Sequence, residues 1–235
     1  MLKKIKKDLE KAGNKKQAKL LQRFFKTGPG EYGEGDIFLG IKVPVQRTIC
    51  KAYYDLDLNS IQSLLSSKIH EERLCALFIL IEKYKKCLPN CKGEDKIAKF
   101  YIRNVKAGRI NNWDLIDLSA PNILGTYLLD KPRDILYKLA KSKNLWEKRV
   151  AIISTMAFIK IHDFKDAIKI SEILLKDRQD LIHKAVGWVL REIGKKDEKV
   201  LLKFLDKHYK EMPRTMLRYS LEKLSEKKRK FFMKK

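Results

Sequence analysis

Trp113 and Asp117, in the segment NNWDLIDLSAPNILG at 111–125, have types and spacing that suit chemistry. Four residues apart on a helix, they lie one above the other on a single face, setting an indole surface beside a carboxylate. A carboxylate held there can stabilise a developing positive charge or direct an attacking water. An indole face holds a cationic ring by stacking and cation–π attraction. The same pair also fits a core tryptophan with a surface acid. Asp114 and Asn112 are suited to cap the helix start.

Three other segments hold candidates. WEKRVAIISTMAFI (146–159) carries Arg149, either a phosphate-gripping cation or a solvated helix-surface arginine. In DRQDLIHKAVGWVLREIGKKD (177–197), Trp188 lies between Lys184 and Arg191 on one helix face, an aromatic and basic combination suited to DNA. Gly187 within that helix implies a close neighbour, because glycine there costs about 1 kcal/mol against alanine. FFKTGPGEYGEGDIFLGIKVPVQR (24–47) is Gly-rich but lacks the Lys-Ser/Thr ending of a phosphate loop. It also carries Glu31, Glu34 and Asp36, which repel phosphate. This stretch is expected to be an exposed turn or short hairpin. It leads into a helix with Pro44 in its first turn and Arg47 beyond, whose starting amides suit a DNA phosphate.

The elements that must position these residues are helices. Apolar residues recur at i, i+3, i+4 and i+7, as in Leu74, Leu77, Phe78 and Ile81, and no stretch sustains a period of two. A small residue among apolar ones recurs at Ala76, Ala151, Ala185 and Ser220, the last three 34 and 35 residues apart. Periods of this length mark stacked helix pairs. The expected fold is therefore all-α: one HEAT-like repeat solenoid over 1–235 with a concave basic face for DNA. It carries an inserted Gly-rich loop or hairpin at 28–36 and a basic C-terminal tail at 225–235. In that register Asp117 occupies a slot that other repeats fill with Ala or Ser, which marks it as out of place.

Composition narrows the partner. Against 53 lysines and arginines stand 29 acids, a net charge of +24. Such an excess repels itself unless a polyanion neutralises it, so nucleic acid is the expected partner and an anionic membrane the weaker alternative. No apolar run reaches the roughly 20 residues of a membrane span. The N-terminal MLKKIKKDLEKAG lacks the apolar core of a secretory signal, so a cytoplasmic protein, nucleoid-associated when bound to DNA, is expected. Cys87 and Cys91 have no second ligand pair, so no metal site is expected, and Cys50 and Cys75 are expected as small core residues.

Four motifs in order, FLGI-x-x-P-x-x-R at 38–47, W-D-x-x-D at 113–117, W-x-x-R-x-A at 146–151 and KAVGWVLRE at 184–192, resemble the AlkD-like DNA alkylation repair proteins. The resemblance spans nearly the whole chain. It implies a monofunctional glycosylase, a hydrolase that releases 3- and 7-alkylated purines from duplex DNA as a monomer and without a cofactor. A non-catalytic DNA-structure binder of the same family is the alternative. The resemblance puts catalytic roles on Trp113, Asp117, Arg149 and Trp188, with Phe24, Arg47, Lys184 and Arg191 as DNA contacts. It also implies that the lesion base stays largely exposed. Two features depart from the family pattern: the longer 28–36 segment, and Phe24 where an active member has tyrosine.

Overall fold

The computed structural model describes residues 1–88 and 93–234. Cys91 of the expected CLPNC pair lies outside the described residues. The chain divides into two compact units, Met1–Ser119 and Ala120–Lys235. Both are all-α, and no β-strand is present among the described residues.

The first unit comprises α1 (Leu2–Lys11), α2 (Lys15–Phe24), α3 (Val43–Lys51), α4 (Leu58–Leu65), α5 (His70–Cys87), α6 (Glu94–Lys106) and α7 (Trp113–Ser119). Local chemistry sets the boundaries. The Asn14 side chain accepts the Gln17 N–H to open α2, Asp57 accepts the amides of Asn59 and Ser60 to open α4, and Pro44 sits in the first turn of α3. Helix α5 is buried on nearly all sides, from His70 to Ile81, and α1, α3, α4, α6 and α7 pack around it.

The FLGI segment docks on α5 through its backbone. The amides of Leu39, Gly40 and Ile41 donate to the Glu71 carboxylate at 2.9, 2.8 and 3.2 Å. Gly40 has φ +84°, and a Cβ there would fall 2.2 Å from the carbonyl oxygen of Asn14. A side chain must therefore both enter the left-handed region and displace α2. Gly40→Ala is expected to lower unfolding stability by at least about 1–3 kcal/mol, read as a lower urea midpoint at constant slope. An unchanged midpoint would show that α2 yields freely.

Of the two forms expected for residues 28–36, the turn is the one present: successive turns that rejoin the fold through a parallel bridge, Ile37 with Ile69. Two expectations need correction in this unit. Cys50 and Cys75 are core residues as expected, both fully buried, but they are joined as a disulfide between α3 and α5. The apolar faces on which they lie meet, bringing the Cα atoms to 6.0 Å, within disulfide reach. Finally, Asp117 is half-buried and does not fill the packing slot. Ser119 does: fully buried, it donates to the Leu115 carbonyl at 2.5 Å and bonds the Tyr101 hydroxyl at 2.9 Å. The repeat register thus shifts by two residues in α7.

The second unit opens with a π-helical turn, Pro121–Gly125, and continues through α8 (Asp134–Ala140), α9 (Leu145–Ser154), α10 (Met156–Lys160), α11 (Lys165–Ile173), α12 (Asp180–Lys196), α13 (Glu198–His208), α14 (Arg214–Leu221) and α15 (Glu226–Met233). Asn144 caps α9 and Asp197 caps α13. Helix α12 is the hub, packed against α9, α10, α11, α13 and α14. Ala151, Ala185 and Ser220 are buried as the repeat pattern requires. A Cβ on Gly187 would lie 2.5 Å from Cβ of Tyr219, so the glycine admits α14, the close neighbour expected there. The basic C-terminal segment is a helix and not a loose tail, because Phe232 buries itself against Tyr209 at 5.3 Å.

Candidate active site

In the first unit the candidates gather at the start of α7. Asn112, fully buried, accepts the Trp113 amide at 2.8 Å and opens the helix. Asp114 accepts the Leu115 amide at 2.8 Å and turns its other oxygen to His70 Nε2 at 2.7 Å. Trp113 is half-buried and stacks on Phe25 at 5.1 Å with an 11° interplanar angle, while Phe24, 63% exposed, meets its edge at 5.9 Å. On its other side Phe25 meets Phe38 at 4.9 Å, and the His70 ring lies against both, 5.0 Å from Phe25 and 4.5 Å from Phe38.

The polar side of this ladder is a buried charge network. His70 donates from Nδ1 to Asp36 at 3.1 Å and from Nε2 to Asp114, and Arg73 pairs with Asp36 and Asn111. Burial opposes the charge on His70, but the Asp114 carboxylate and the bonds to Asp114 and Asp36 outweigh it and raise its pKa to about 9. Burial also opposes the Asp36 charge; contacts with His70 and Arg73 overcome it and hold that carboxyl below its ordinary range. The acid that the sequence marked as phosphate-repelling instead ties the 28–36 turns to α5 and α7.

The pH consequence follows from the signs. A histidine with a raised folded pKa contributes stability that is complete below its unfolded value of roughly 6.5 and fades as pH climbs to about 9. Unfolding stability is expected to fall across that window by up to the order of 3 kcal/mol, with the decline absent in His70→Asn. Asp36 acts oppositely, its contribution being lost as pH falls below the ordinary carboxylate range. Chemical denaturation at a series of pH values tests this, and a flat profile from 6.5 to 9 would contradict the charged histidine.

Asp117 follows on the same helix face as Trp113, half-buried. Its negative charge reaches the buried Tyr101, whose phenol is pushed up first by burial and further by that charge. Arg47 is exposed, its guanidinium 5.2 Å from the Phe78 ring. The start of α3 offers little to a phosphate, since the Val45 and Gln46 amides close on the Lys42 carbonyl and Pro44 has none.

In the second unit Trp188 is half-buried on α12 and donates its indole N–H to Glu192 at 3.3 Å. Its two flanking cations are paired: Lys184 with Asp180 at 2.7 Å, and Arg191 with Glu222 and Glu192. Arg149 is not a solvated surface residue. It is 4% exposed and donates to the Leu181 carbonyl at 2.6 Å, tying α9 to the first turn of α12. Phe25, His70, Asp36 and Arg73 were not singled out as site residues in the sequence. Only the FF pair at 24–25 gave any signal, and it pointed to Phe24.

Among the described residues no helix is long and apolar enough to cross a membrane, and no three or more His, Cys, Asp or Glu side chains cluster as a metal site would require. The family model of the DNA alkylation repair enzymes matches residues 5–224. A solved structure described as a predicted DNA alkylation repair enzyme from Enterococcus faecalis is similar over 91% of this chain and 97% of its own, with TM-score 0.70 and 14% identity. No match was found among curated proteins.

Proposed function

The chain belongs to the DNA alkylation repair enzyme family, and from that premise we propose that it is a monofunctional glycosylase hydrolysing the N-glycosidic bond of 3- and 7-alkylated purines in duplex DNA. The supporting observation is the pairing on α7: Trp113, its ring held against Phe25, with the half-buried Asp117 one turn on.

Alkylation at N3 or N7 makes the purine a cation and a good leaving group. As the C–N bond breaks, positive charge develops on the deoxyribose, and the Asp117 carboxylate stabilises it. Water adds its oxygen to the anomeric carbon, its proton passes to the carboxylate or solvent, and the base departs as a neutral purine. No metal or redox step is needed for this balance. Trp113 offers its indole face to the cationic lesion or the sugar. Phe24, exposed beside it, and Arg47 contact the DNA.

In the second unit Trp188 supplies a further indole surface to DNA. For Arg149 the buried setting supports a positioning role, holding the start of α12 and with it Trp188, in place of the phosphate grip expected from sequence. Lys184 and Arg191 reach phosphate by exchanging their acidic partners for it. The protein acts as a monomer on the cytoplasmic DNA, with its charge of +24 driving association.

The test is chromatographic detection of 7-methylguanine and 3-methyladenine released from methylated duplex DNA. Release above the spontaneous rate supports the reading. Salt-sensitive binding to duplex with no release would overturn it and establish the non-catalytic DNA-structure binder, which the net charge by itself favours equally.

A further inference from the structure

The C-terminal end of the second unit carries an aromatic surface that the excision chemistry leaves unused. Helix α15 holds two adjacent phenylalanines in opposite settings. Phe232 is 3% exposed and meets Tyr209, just past α13, edge to face at 5.3 Å, which fastens the helix. Phe231 is 60% exposed, its ring 6.3 Å from that of Tyr209 at an interplanar angle of 33°. Tyr209 and Phe231, with Lys210 and Lys234, line an open cleft of 450 Å³. Among the described residues neither lysine is ion-paired, in contrast to Lys228 with Glu198 and Lys230 with Glu226 on the same helix. A lone exposed phenylalanine needs no explanation. One that walls a cleft beside two unpaired cations does.

We propose that this surface binds single-stranded DNA, an unpaired base stacking on Phe231 while Lys210 and Lys234 hold the phosphates beside it. The charge selects a polyanion: EKKRKFFM of α15 sets four cations against one acid, and Lys227 lies one turn before Phe231 on the same face. The ring selects the single strand. Every base offers a π-face to an aromatic side chain, but within a duplex both faces are covered by neighbouring bases. An acidic peptide would satisfy the lysines and leave the ring unused. An anionic membrane would take up an apolar helix face, but the second phenylalanine of α15 is turned inward and leaves Phe231 alone. The choice of DNA as the strand rests on the proposed function; the demand for an unpaired base with its phosphates does not.

Fluorescence anisotropy of the whole protein with a labelled oligothymidylate, and with an abasic oligonucleotide of the same length, separates stacking from charge. Phe231→Ala is expected to weaken oligothymidylate binding by about fivefold or more, the scale of one lost base–aromatic stack, and abasic binding by less than about twofold. Phe231→Trp is expected to retain the parent's affinity. Lys210→Gln combined with Lys234→Gln is expected to weaken both and to flatten the slope of log affinity against log salt by about 1.4, at about 0.7 per phosphate on a single strand. Oligothymidylate affinity unchanged in Phe231→Ala, an equal loss on both oligonucleotides, or a loss in Phe231→Trp as large as in Phe231→Ala would overturn the proposal. So would Phe231-dependent binding of phosphatidylserine vesicles with oligonucleotide affinity indifferent to Phe231. Base release from alkylated duplex by the parent, with oligothymidylate affinity indifferent to Phe231, would overturn this surface and leave the excision reading standing. Phe231-dependent binding without excision by the parent would support the surface and refute excision.

Discussion

Asp117→Asn is expected to slow single-turnover base release by about 10²–10³-fold, with affinity for the alkylated duplex changed less than threefold. The substitution keeps the shape of the side chain and removes only its charge. That charge matters most at the transition state, where the deoxyribose becomes cationic, and hardly at all when neutral DNA sugar first docks. A selective effect on rate is therefore the signature of electrostatic stabilisation, whereas a purely structural acid would move stability and binding together. Asp114→Asn is the natural companion. Only three residues away, Asp114 is bonded to His70, so its loss is expected to appear in unfolding stability.

Removing the imidazole at position 70 is the second large effect. His70→Leu is expected to cost about 3–5 kcal/mol of unfolding stability, read as a fall in the urea midpoint. Leucine fills the space between Phe25 and Phe38 but donates nothing. Asp36, 6% exposed, keeps only Arg73 and a long contact from the Asn112 amide among the described residues, and Asp114 loses its cation. Both carboxylates would face a low dielectric with fewer donors. Because Asp114 adjoins Trp113, the same variant is expected to loosen the indole from Phe25, visible as altered tryptophan fluorescence. A midpoint within experimental error of the parent would contradict a stabilising charge network.

How much of this was legible in the residues depended on the range of the interaction. Helix type, the caps at Asn112 and Pro44, the close approach at Gly187 and the shared face of Trp113 and Asp117 are local properties of spacing, and the structure bears each of them out. The His70 network was invisible because Asp36, His70, Arg73 and Asp114 come from three separated segments, and no local pattern joins them. The solvated setting weighed for Arg149 does not hold, and the sequence could not show this because its acceptor, the Leu181 carbonyl, lies 32 residues away. The Asp117 slot failed for a different reason. The repeat was read as evenly spaced, but α7 ends at Ser119 and gives way to a π-helical turn, and the small buried residue shifts with it. The cysteine pair shows the same limit: burial is a property of one helix face, but bonding requires knowing that two faces meet.

The most direct measurement of the central claim is single-turnover release of 7-methylguanine from one methylated duplex, compared between the parent protein and Asp117→Asn at saturating protein. The account predicts free base with an intact phosphodiester backbone from the parent, and release at least 100-fold slower, on the scale of a lost transition-state charge interaction, from the variant. Equal rates from the two, or no release above the spontaneous background from the parent, would contradict it.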